Sequence, residues 1–87
     1  MTKTQKATLK ILYSGDKILD DIYLELHKLF PSMATGINLY NIAIMLNNLR
    51  ANDYIYIDMT GTPLKYSLAA KGKIYILSLK QGGINNV

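Results

Sequence analysis

Asn41, Asn47 and Asn48 share one side of the segment 38–52 with Tyr40 and Ile44 when that segment is wound as a helix. Asparagine is a mediocre helix former, so several on one exposed face raise the question of what they touch. Other residues with chemical potential resolve more simply. His27, the one histidine, follows Leu26 and nearly adjoins Leu29 and Phe30. A general base or metal ligand needs partners; the sequence marks none, so His27 reads as a partly exposed helical residue. Asp20, Asp21 and Glu25 occupy the solvent side of a helix, where charges normally sit. Gly82-Gly83 stands near the end of the chain, not in a strand-to-helix turn, so no phosphate-cradling loop is present. With no cysteine, disulfides and thiolate metal sites are excluded. The expectation is no enzyme, no metal and no cofactor.

The elements that position these side chains come from 87 residues, enough for one domain and one core. Hydrophobic residues make up 49% and charged residues 18%, the balance of a globular chain. Ten Lys/Arg against six Asp/Glu give +4, which favours an anionic partner without specifying one. The longest apolar run, Ile42 to Leu46, is too short to span a bilayer, and the N-terminus lacks the apolar core of a secretory signal. A soluble cytoplasmic protein, not membrane-bound, is expected.

Three helices are predicted first. One runs from Thr4 to Tyr13 and stops at Ser14-Gly15-Asp16, a turn signal able to cap the next helix. Lys3, Lys6 and Lys10 lie along one side of it. The second spans Ile18 to Phe30, with Ile18, Ile22, Leu26 and Leu29 at helical spacing, and Pro31 ends it. The third spans Asn38 to Asn52, with Leu39, Ile42, Leu46 and Leu49 as its buried stripe.

A hairpin comes next. With Thr60 to Pro63 as the loop, Met59 faces Leu64, Ile57 faces Tyr66 and Ile55 faces Leu68, which puts six apolar residues on one face. The same register sets Asp58 opposite Lys65, a pair worth only about 0.2–1 kcal/mol. A lone hairpin is marginal in water, so its apolar face must lie on the helices.

Leu46-x-x-Leu49-x-x-x-Asp53-Tyr54-Ile55 and Tyr66-Ser67-Leu68-Ala69-Ala70-Lys71-Gly72 resemble strings in bacterial regulators of the PadR and MarR types. Those families often show Leu-x-x-Leu-x-x-x-Gly-Leu-Ile and Tyr-x-Leu-Thr-x-Lys-Gly. Asp53 replaces their glycine and Ala69 their helix-capping threonine, which leaves residues 71–80 open between a C-terminal helix and a third strand. The resemblance implies an α+β winged helix over residues 1–80, a three-helix cluster followed by a hairpin wing, with 81–87 as a flexible tail. It further implies a transcriptional regulator that binds double-stranded DNA. The third helix would enter the major groove, placing Thr35, Asn38, Tyr40, Asn41, Ile44, Asn47 and Asn48 against it. Chemistry permits this, because an Asn amide pairs with adenine N6 and N7 and Ile44 suits a thymine methyl. The wing would contribute Thr60, Thr62 and Lys65 at the backbone, although its tip has no basic residue. Lys71, Lys73, Lys17 and the row Lys3, Lys6, Lys10 are further candidates for phosphates. Regulators of this type usually pair, which implies a homodimer through the apolar segment Ile74 to Leu79. The alternative is a winged helix that docks a protein partner through Tyr40, Ile44 and Met45.

Overall fold

The computed structural model describes residues 1–33 and 36–85. Helix α1 (Lys3–Tyr13) leads through a short strand β1 (Lys17–Ile18) to α2 (Leu19–Leu29) and a 3-10 turn (Pro31–Met33). Helix α3 (Leu39–Ala51), strands β2 (Ile55–Asp58) and β3 (Lys65–Leu68), and helix α4 (Ala70–Asn85) complete the order.

Local chemistry accounts for the helix starts. Thr2 and Gln5 form a capping box on α1, the Thr2 hydroxyl accepting from Gln5 N–H at 3.1 Å and Gln5 Oε1 from Thr2 N–H at 2.9 Å. The helix therefore begins one residue before the expected Thr4. Asn38 caps α3, its Oδ1 accepting from Asn41 N–H at 2.8 Å. Ile37 and Ile42 flank that cap at the two positions of a hydrophobic staple, and both are buried.

β3 is the middle strand, paired antiparallel with β2 on one side and β1 on the other. The hairpin register is the one expected: Ile55 opposite Leu68, Ile57 opposite Tyr66, Asp58 opposite Lys65. Strand β1 corrects the expected second helix. Ser14-Gly15-Asp16 does not cap α2; Gly15 turns at φ 148°, Lys17 and Ile18 pair with Tyr66 and Lys65, and Ile18 is the N-cap of α2 without a side-chain bond.

Leu9, Ile22, Leu26, Ile42, Leu46, Ile55 and Ile76 form the fully buried centre. Four residues expected inside lie outside. Leu39, the first residue of α3, is exposed while Ile37, just before that helix, is buried, and Leu29 is exposed at the last residue of α2. Met59 and Leu64 are exposed because the ladder ends at Asp58–Lys65, short of them.

Residues 71–80 are helical. Ala69 gives α4 no capping side chain, and only its carbonyl accepts, from Lys73 N–H at 3.1 Å. Packing supplies what the cap does not: Ile76 is buried, Tyr75 meets Tyr54 edge-on, and Gly72 lies against the Tyr54 carbonyl and Leu68. The helix takes in 81–85 of the segment expected as a tail; residues 86 and 87 lie outside those described.

Candidate nucleic-acid interface

The residues just before the third helix are pinned to the second. His27 Nε2 lies 2.7 Å from the Ile37 carbonyl oxygen, so that nitrogen carries the hydrogen and donates, and the ring packs on Tyr23 with centroids 4.3 Å apart. His27 is thus a tether for the loop that enters α3.

On α3, Tyr40, Asn41, Ile44, Asn47 and Asn48 are all exposed, as expected, and Tyr40 keeps 74% of its surface open. Their side chains are not equally free. Asn38 is committed to the cap, and Asn41 Nδ2 donates to the Gly36 carbonyl at 3.1 Å. The side-chain amides of Asn47 and Asn48 make no hydrogen bond among the described residues, so both retain donor and acceptor. Met45, grouped with Ile44 as surface, instead packs partly into the core, its sulfur 3.7 Å from the Thr8 hydroxyl. Thr35 lies outside the described residues. A groove beside this face is bordered by the cap Thr2, by Thr4 and Gln5 of α1 and by Asn41, Ile44 and Asn48 of α3, so the start of α1 flanks the asparagine face.

The wing differs from expectation in its hydroxyls. Asp58 Oδ1 accepts from Thr60 N–H at 2.9 Å and from Thr60 Oγ1 at 2.6 Å. These bonds, the side-chain one first, hold the Asp58 carboxyl below its ordinary value, with the Lys65 ammonium adding least. The Thr60 hydroxyl hydrogen is therefore spent on a carboxylate and is not offered to a phosphate. Thr62 and Lys65 are exposed.

Lys71 is also engaged. Its Nζ donates to the Asn52 carbonyl at 2.9 Å and sits 4.6 Å from the Tyr54 ring centroid. It satisfies a carbonyl at the end of α3 and makes a cation–π contact, which holds its ammonium in place while leaving two further N–H donors. Sequence reasoning missed Arg50, exposed in the last turn of α3 and bordering a groove of about 620 Å3 with Tyr56 of β2 and Ala70 of α4. Its place three residues beyond Asn47, on the exposed side of the same helix, was the available signal.

No protein-family model matches the chain, and no curated protein matches it significantly. Solved structures do. RosR of H. salinarum, grown from NaBr, superposes with a TM-score of 0.86 at 17% identity, over 99% of this chain and 76% of that one. Two complex structures of RosR give the same TM-score and identity over 75% and 73% of their chains. At that identity the likeness speaks for architecture alone, and together with the order of helices and strands it makes this chain a winged helix.

Proposed function

We propose that this chain is a sequence-specific double-stranded DNA-binding protein that regulates transcription, of the PadR/MarR type, with α3 in the major groove and the hairpin on the backbone. The observation that favours it most is the solvent-facing side of α3, where Asn47 and Asn48 keep unspent amides beside Tyr40 and Ile44. A winged helix normally presents this helix to DNA, and an Asn amide matches the adenine edge. Asn41 can join them with its remaining acceptor, and Asn38 acts by shaping the helix start. Lys65, Thr62 and Arg50 would meet phosphates. The reading involves no catalysis and no cofactor, and places the protein in the cytoplasm. Among the described residues no helix is long and apolar enough to cross a membrane.

The proposal includes a homodimer through α4, whose Ile74 and Leu77 are 67% and 45% exposed one turn apart. Two copies would then present two α3 helices to a pseudo-palindromic site.

The test is selection of duplexes from a random pool, followed by titration across salt concentrations. Affinity should fall steeply with salt, about 0.9 log units per log unit for each phosphate neutralised. No duplex binding at low ionic strength would refute the reading. One observation favours a second reading, a protein-docking module: α3 has Tyr40 and Ile44 exposed but no basic residue before Arg50. Asn47→Ala with Asn48→Ala separates the two, since only a DNA reader loses sequence preference.

A further inference from the structure

The lysine row of α1 has no part in the α3 interface. At about 100° per residue, Lys6 and Lys10 stand about 200° around the helix from Thr8, and Thr8 is the residue that meets Met45 of α3. The row therefore looks away from α3. It borders instead a groove of about 510 Å3 between α1 and the C-terminal end of α2. Ala7, Ile11, Leu29 and Phe30 provide the apolar lining, and Lys3, Lys6 and Lys10 provide all of its charge.

Two features of this groove are otherwise unexplained. Leu29 ends the apolar stripe of α2 yet is 56% exposed here, beside a half-buried Phe30. And none of the three ammonium groups meets a carboxylate among the described residues; Glu25 of α2 is paired at 3.7 Å with Lys28 on its own helix.

We propose that this groove binds a small amphiphilic carboxylate, an aliphatic chain with one acidic end. The tail would cover Ile11, Leu29 and Phe30, and the carboxylate would sit on the lysine row. Neighbours three and four apart on a helix stand about 5–6 Å from one another, so two ammonium groups can share one carboxylate through charge-assisted bonds. Size argues for a small molecule over a protein. Small-ligand sites run to about 300–1,000 Å3, mostly apolar with a few polar groups. A stable protein interface needs roughly 20–30 residues a side, far more than this groove offers.

Decanoate, kept below its micelle concentration, is the probe, titrated into the full chain by calorimetry and by methyl and amide NMR. The expected result is saturable one-to-one binding with shifts centred on Ala7, Ile11 and Leu29. Lys6→Gln with Lys10→Gln should weaken decanoate about tenfold or more while leaving the uncharged decanol unchanged, and Leu29→Ser should weaken both. Circular dichroism establishes that each variant is folded. The proposal is overturned by absence of saturation at millimolar decanoate, by decanol binding as tightly as decanoate, by shifts centred on Ile74 and Leu77 of α4, or by an acidic amphipathic peptide occupying the groove when decanoate does not. DNA binding is measured separately, so loss of either property leaves the other standing.

Discussion

Asp53 occupies the left-handed region at φ 65°, where a side chain normally disfavours the backbone. It stands just past the end of α3, with Asp53 N–H bonded to the Arg50 carbonyl at 3.0 Å and Tyr54 N–H to the Leu49 carbonyl at 2.9 Å. That bond pair is a Schellman motif, which selects glycine. The PadR/MarR-like string has glycine at this position, and the geometry says why. Asp53→Gly should stabilise the protein by about 0.5–1 kcal/mol, read from urea unfolding. Asp58 makes a different prediction. Its carboxyl is held down by the Thr60 bonds, so their stabilisation is present above the ordinary value of 3.8 and fades as pH falls through the lower folded value. A carboxyl-carbon NMR titration should show a midpoint below 3.8, and Thr60→Ala should move it up. In DNA binding, Asp58→Asn should raise affinity, because it removes a negative charge from the wing while its amide oxygen still accepts from Thr60; unchanged affinity would place the wing off the DNA.

Among the elements, α3 and the hairpin were legible and β1 was not. Helical spacing marked Ile42, Leu46 and Leu49, and the alternation of Ile55, Ile57, Tyr66 and Leu68 set the register. Two residues cannot display a period, so Lys17–Ile18 gave no strand signal; that strand exists because β3 has a free edge to offer. The ends of stripes were misread for a related reason. Periodicity assigns Leu29 and Leu39 to a buried side without knowing where the neighbouring helix stops. Within the site, the sequence placed the exposed face of α3 correctly but not which amides were already in use, since Asn41 and Gly36 bond across a turn. Helix α4 turned on Gly72, where a methyl group would overlap the Tyr54 carbonyl and come within 2.8 Å of Leu68 Cδ2. Gly72→Ala should destabilise by about 1–3 kcal/mol despite alanine's better helix propensity, checked by thermal unfolding. Asn47→Ala and Asn48→Ala should each change stability by less than about 0.5 kcal/mol while costing about 1–3 kcal/mol of base discrimination.

Across the whole molecule, charge is unevenly placed. Four of the six acids, Asp16, Asp20, Asp21 and Glu25, fall in α2 and the turn before β1, while the lysine row is basic and the wing balances Asp58 against Lys65. A duplex approaching α3 should therefore meet attraction from Arg50 and Lys65 and little from α2, and Lys65→Gln should lower affinity uniformly across sequences and reduce the salt slope by about one unit. If α4 pairs two copies, Leu77→Glu should halve the molar mass in solution and weaken binding to palindromic sites more than to half-sites. The sheet has a consequence for how the chain acquires its shape. Because β3 lies between a neighbour made just before it and one made near the chain's beginning, the middle strand cannot be completed by local contacts. Closing that long excursion costs entropy before it is rewarded, so the helices should gain protection from hydrogen exchange early during refolding, and Tyr66 late.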